Sequence, residues 1–158
     1  MADFATIEKI QKIIEDLLKR AEIDAKVSPE DSISRGLVFN ITSSESYLVI
    51  GRQGANLQAL QTLSQAIASK QLKDKPTVFF TLDVDDYRRK REWFLKQSLR
   101  QTVDKMVNTG LAVPMEPMSS SERRFIHAFA QGEYPEVETY SEGLDPYRKI
   151  VVRPKRLQ

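Results

Sequence analysis

The apolar residues of the first 84 positions switch between helical and strand spacing in a definite order, and that order limits the possible folds. Ile7, Ile10, Ile14 and Leu17, joined by Ile13 and Leu18, recur at helical spacing and predict an amphipathic helix over about 5–21. Its polar face mixes Glu8, Lys9, Lys12, Glu15 and Asp16. A membrane-surface helix favours one sign of charge, so the apolar stripe is read as core. Ile23, Ala25 and Val27 alternate, as do Leu37, Phe39 and Ile41, which predicts two strands joined by a turn at 28–31. Ser43, Ser44 and Glu45 offer a cap to a short helix ending at 47–50. A longer helix is predicted from Ala55 to Lys70, with Leu57, Leu60, Leu63 and Ile67 on one side, and Val78, Phe80 and Leu82 predict a third strand. The order is α-β-β-α-α-β, closing near residue 84.

The texture then changes. Between Thr77 and Thr109 there is neither Gly nor Pro, and Leu95, Leu99, Val103 and Met106 carry a helical stripe that ends at Gly110. Asp85 and Asp86 are the expected caps of this helix; they and Asp83 could also suggest a Mg²⁺ site, but capping explains them more cheaply. Ser119 with Glu122 three residues on is a capping box, opening a helix to about Ala130. Residues 137–140 and 149–153 read as strands around a turn at 142–146. The expected domains are therefore 1–84 and 85–158, and the expected class is α/β (α+β).

Composition excludes much of chemistry. The 158 residues contain no cysteine, which removes disulfides, Cys-bearing zinc sites and thiol nucleophiles together, and the single His127 argues against a histidine-rich metal centre. No metal and no cofactor is expected. No apolar run exceeds about four residues against the roughly 18 of a membrane span, and no signal-peptide core is visible, so a cytoplasmic protein without an integral membrane segment is expected. The formal net charge is only +2. Residues 1–87 carry 10 basic and 13 acidic side chains (net −3), whereas 88–158 carry 14 and 9 (net +5), and this asymmetry points to a polyanionic partner.

Gly51 and Gly54 lie between two predicted helices. Glycine permits positive φ and close backbone approach, and the helix that follows turns its free N–H groups and positive dipole end towards the loop. Arg52 adds a charge for phosphate, and Ile50 with Val49 could floor a groove for unstacked bases. Gly-x-x-Gly alone is usually just a turn between helices. On the helix opened by Ser119, Phe125, Ile126 and Phe129 fall in one arc, while Arg123 and His127, at i and i+4, fall together outside it. They are expected on the surface, where guanidinium and imidazole hold phosphate and stack on bases; Arg124 enlarges the patch. A catalytic reading would pair His127 with Ser141 or Ser119 and a Glu, but no Gly-x-Ser-x-Gly elbow accompanies them. Arg88, Arg89, Lys90 and Arg91 open the long helix against its dipole, which suggests phosphate contact, especially for Arg88 and Arg89; Lys96 and Arg100 continue the charge. Arg148, Lys149, Arg153, Lys155 and Arg156 extend it towards the C-terminus.

Val49-Ile50-Gly51-Arg52-Gln53-Gly54 within the α-β-β-α-α-β unit resembles the prokaryotic-type KH domain, in which such a loop clamps a single-stranded backbone. KH loops that bind RNA well often carry two basic middle residues, and here the second is Gln53. Glu122 to His127 contains the Arg-x-x-x-His core of the R-3-H domain, a small sheet packed on two helices, and the runs 137–143 and 146–152 extend the match. The two together resemble the bacterial Jag (KhpB, SpoIIIJ-associated) family. Relative to that family the N-terminal Jag domain is expected to be absent, since Met1 immediately precedes the first KH helix.

The resemblance implies binding of single-stranded RNA, with single-stranded DNA as a related ligand, by Gly51, Arg52, Gln53 and Gly54 and by Arg123 and His127, beside which Ile50 and Arg124 stand as read above. It also implies no enzymatic activity, a post-transcriptional role linked to cell shape and division, and a second small KH protein as partner. The competing reading is a protein-interaction module that docks on a membrane insertase or ribosome, with weak RNA affinity.

Overall fold

A computed structural model of the chain describes residues 3–32, 36–73 and 76–155. It divides into two compact units, Met1–Arg88 and Arg89–Gln158.

In the first unit α1 (Phe4–Arg20) is capped by the Asp3 carboxylate, which accepts from the Thr6 N–H at 2.7 Å. Strands β1 (Lys26–Ser32) and β2 (Gly36–Thr42) pair antiparallel, and β2 pairs parallel with β3 (Phe80–Val84), giving the order β1-β2-β3. Between β2 and β3 come α2 (Ser46–Ile50), a single 3₁₀ turn over Arg52–Gly54, and α3 (Ala55–Gln71). The core gathers Ile10 and Ile14 of α1, Phe39 and Ile41 of β2, Leu57 of α3 and Leu82 of β3, each almost wholly buried. Phe39 and Phe80 meet edge to face at 5.4 Å, the geometry that aligns a ring's positive edge with its neighbour's negative face.

The predicted order of elements is observed, with local differences. The segment 28–31 lies inside β1 rather than in a turn, because β1 is an edge strand and Pro29 is tolerated there opposite Phe39. Ile23 and Ala25 precede that strand and pack on the core from irregular backbone. Val78 likewise precedes β3; its carbonyl accepts from Gln65 Nε2 at 2.8 Å. Gln61 bonds the same edge twice, to the Phe80 carbonyl at 2.8 Å and from the Leu82 N–H at 2.7 Å, so α3 covers polar groups that an edge strand would expose. Leu63 is 49 % exposed, not core; the buried stripe of α3 runs through Leu57, Ser64 and Ala68.

In the second unit α4 (Tyr87–Thr109), which begins at the close of the first unit, buries Leu95, Leu99, Val103 and Met106, the four residues of the predicted stripe. Asp83 bonds its first turn, and Asp85, one of the two expected caps, bonds elsewhere. The buried Asp83 carboxylate accepts from the Val84 and Arg88 N–H groups at 2.9 and 3.3 Å, while Asp85 takes the Ser46 hydroxyl at 2.6 Å. Asp85 and Asp86 both adopt positive φ, 48° and 58°. Among the described residues, no cluster of three or more His, Cys, Asp or Glu is arranged to hold a metal ion.

A two-residue strand β4 (Val113–Pro114), absent from the sequence reading, pairs with β6 (Lys149–Pro154), which also pairs with β5 (Val137–Glu142). The helix α5 (Ser120–Glu133) lies along β5 and starts at the capping box, where Glu122 reaches back to the Ser119 N–H at 2.8 Å. Its buried stripe is Arg123, Ile126 and Ala130. Phe125 and Phe129 stack at 6.1 Å at the margin of that stripe, with the Lys96 ammonium 5.6 and 5.1 Å from their centroids. Cation–π attraction lets half-exposed rings sit there without full burial. Among the described residues no helix is long and apolar enough to cross a membrane.

Candidate nucleic-acid interface

The loop between α2 and α3 runs through the left-handed region at Gly51 (φ 69°), Gln53 (φ 53°) and Gly54 (φ 80°). Sterics favour glycine at two of these, and close neighbours make the requirement strict. A Cβ on Gly51 would overlap the Asn56 side chain, and one on Gly54 would lie 2.8 Å from Tyr87 Cε1. Asn56 Nδ2 also donates to the Leu48 carbonyl at 2.8 Å, tying α3 back to α2 across the loop. The loop is thus backed by two side chains. Gly54 supplies no side-chain cap to α3, whose first amides lie next to the exposed Arg52 and the half-buried Gln53 and Ile50. Ile50, Gly51, Arg52, Gln53 and Gly54 therefore sit together, as the sequence reading expects. The backing residues Asn56 and Tyr87 were not foreseen. Asn56 carries a weak signal, since asparagine is a poor helix former placed in a first turn; Tyr87 lies 33 residues from its glycine and carries none.

Gly54→Ala is expected to cost about 1–2 kcal/mol of stability from the left-handed backbone alone. Adding Tyr87→Ala should remove the clash with the ring but not this backbone term, and urea unfolding of the single and double variants separates the two.

Arg88 is half-buried, and its Nε donates to the Leu82 carbonyl at 2.9 Å, so part of this guanidinium serves the first unit's own backbone. Arg89 and Lys90 are exposed. Arg91 pairs with Glu122 at 2.7 Å and lies 5.4 Å from the Phe94 centroid. Trp93 and Phe94 are both exposed. Arg153 is paired with Glu138 and lies over Tyr140, and Arg156 is outside the described residues.

The second unit corrects the expected surface position of Arg123. It is 8 % exposed, and its Nη1 donates to the Met118 carbonyl at 2.8 Å and to Asp145 Oδ1 at 2.9 Å. The helical wheel centred the buried arc on the phenylalanines. In the folded unit the arc is turned towards Ile126 and Ala130, and the segment before α5 and the β5–β6 turn close over Arg123. His127 is half-buried: its Nδ1 shares a hydrogen bond with the Thr139 hydroxyl at 2.7 Å and its Nε2 one with the Ser141 hydroxyl at 3.1 Å. Arg124 is exposed.

Burial lowers the pKa of His127 below its ordinary value, and the Arg123 guanidinium lowers it further. The ring is therefore neutral at pH 7 and offers hydrogen bonds without charge. The unfolded chain takes up this proton near pH 6.5 while the folded chain resists it, so stability is lost as pH falls below about 6.5. Urea midpoints at pH 5 and pH 7.5 should differ more for the wild type than for His127→Gln.

Residues 7–78 match the model of the KhpA/KhpB KH domain, and residues 94–154 match that of the R-3-H domain. An "RNA-binding protein KhpB" from Bacillus subtilis is 30 % identical over 148 residues, which cover 93 % of this chain and 68 % of the relative. The chain belongs to the KhpB family. KhpB of Lactiplantibacillus plantarum is 33 % identical over 148 residues, and KhpB of Streptococcus pneumoniae is 31 % identical over 143. The chain spans 44 % and 41 % of the lengths of these two KhpB relatives, so it corresponds to less than half of each. The two domain matches place the Gly51–Gly54 loop in the KH portion and the Arg123–His127 helix in the R-3-H portion.

Proposed function

We propose that the chain binds single-stranded RNA in the cytoplasm as a post-transcriptional regulator and performs no covalent chemistry. Its two modules are residues 1–84 (KH) and 85–158 (R-3-H). The observation that carries the reading is the loop at Gly51–Gly54, in left-handed conformations and backed by Asn56 and Tyr87, beside the first amides of α3 and the exposed Arg52. A preformed turn of this kind meets a phosphate with N–H groups and one guanidinium without reorganising. The RNA-binding names of the KhpB relatives support the same reading. A second small KH protein is the proposed protein partner.

Against catalysis stands the setting of His127. Both ring nitrogens bond to hydroxyls of β5, Thr139 and Ser141, so neither is oriented by a carboxylate as in a hydrolase triad. A labelled single-stranded RNA titrated at several salt concentrations tests the proposal. The logarithm of affinity should fall linearly with the logarithm of salt, by about 0.7 per phosphate neutralised. No binding, or cleavage of the RNA during long incubation, would overturn it.

A further inference from the structure

We propose that the tip of the β5–β6 hairpin, residues 143–148, is a stacking surface for a base of single-stranded RNA, with Arg123 as its positioning residue. This rests on the RNA-binding reading above and adds a contact apart from the Gly51–Gly54 loop.

Leu144 and Tyr147 at the tip are 83 % and 66 % exposed. Exposed apolar side chains on a turn are ordinary when the turn is loose. This one is held. The Tyr147 N–H donates to the Leu144 carbonyl at 2.9 Å, closing the turn, and Gly143 adopts φ 90° where the strand leaves the sheet. The Arg123 guanidinium then joins the Asp145 carboxylate to the Met118 carbonyl, and the Met118 N–H returns to the Arg148 carbonyl at 3.2 Å. Arg123 therefore links the tip to the segment that precedes α5.

Burying a guanidinium carries a desolvation cost that an exposed hairpin tip does not need for its own closure. What the buried charge provides is a fixed presentation of Tyr147 and a neutralised Asp145. A tyrosine whose backbone is already ordered stacks on a base with little further entropy loss, and such stacking is tolerant of sequence. Charge favours a polyanion as occupant: Asp145 is paired with Arg123, Glu142 stands opposite Lys149 in the ladder, and Arg148 and the exposed Arg124 add positive charge beyond these pairs.

The test uses the full chain and a labelled single-stranded RNA of mixed sequence. Tyr147→Ala is expected to weaken binding on the order of tenfold with an unchanged salt slope, and Tyr147→Phe to bind as the wild type does. Asp145→Asn and Asp145→Ala remove the same negative charge, but only Asn keeps an oxygen that accepts from Arg123. Asn should therefore bind at least as tightly as the wild type, and Ala several-fold more weakly, against the direction of its charge. Equal affinities for the Asn and Ala variants would overturn the positioning role. Tyr147→Ala within twofold of the wild type would overturn the stacking surface, and as an exposed residue it decides the matter even if Asp145→Ala unfolds. A wild type that binds no RNA at all would sink the RNA reading itself, which is a different outcome.

Discussion

Arg52→Asp combined with Gln53→Asp is expected to weaken binding of single-stranded RNA by at least tenfold at physiological salt. The pair changes three unit charges beside the bound backbone, two at position 52 and one at position 53. Each unit charge about 4 Å from a phosphate is worth about 1 kcal/mol in a water-like dielectric, so the sum of about 3 kcal/mol is somewhat more than a hundredfold before screening, which reduces it. The loop itself should survive. Arg52 is exposed, and aspartate enters the left-handed region held by Gln53 (φ 53°) more readily than most side chains. An unchanged affinity and salt slope, with unfolding also unchanged, would remove the loop from the binding surface.

Arg123→Ala should destabilise the second unit by about 2–4 kcal/mol, the range for breaking a buried charge-assisted pair. The substitution strips the hydrogen bonds from the Met118 carbonyl and from Asp145 and leaves a gap beside Ile126, which is fully buried. Asp145 is largely exposed and water will accept its charge, so the lower half of the range is the better expectation. His127→Ala, half-buried and bonded only to two hydroxyls, should cost less than Arg123→Ala. Thermal and urea unfolding compare the two directly. A stable Arg123→Ala variant would return this residue to the surface role that its helical position suggests.

That contrast shows what local pattern does and does not carry. The stripe Leu95, Leu99, Val103 and Met106 was legible because four apolar residues at helical spacing leave one way to bury them, and all four are buried. The capping box at Ser119 and Glu122 was legible because its two hydrogen bonds close within three residues. Spacing alone puts Phe125, Ile126 and Phe129 in one arc of α5; of these Ile126 is fully buried, and the buried stripe is turned from the two rings towards Arg123 and Ala130. Lys96 from α4 covers the two rings and lets them stay at the margin. Of the two expected caps of α4, Asp85 is taken by Ser46, 39 residues earlier, and Asp83 accepts from the Arg88 N–H instead.

Residue identity and short-range spacing suffice for the α-β-β-α-α-β order, the placing of Ile50 to Gly54 on one connection between helices, the absence of thiol chemistry and the concentration of positive charge from residue 88 onwards. Tertiary structure alone decided which polar side chains are withdrawn from solvent. Arg123 turns inward because a hairpin tip 22 residues away offers it a carboxylate, and Gly54 has no free space for a Cβ because a tyrosine 33 residues away lies against it. Partners brought together by folding leave no periodicity in the chain, since each contact depends on the packing of everything between them.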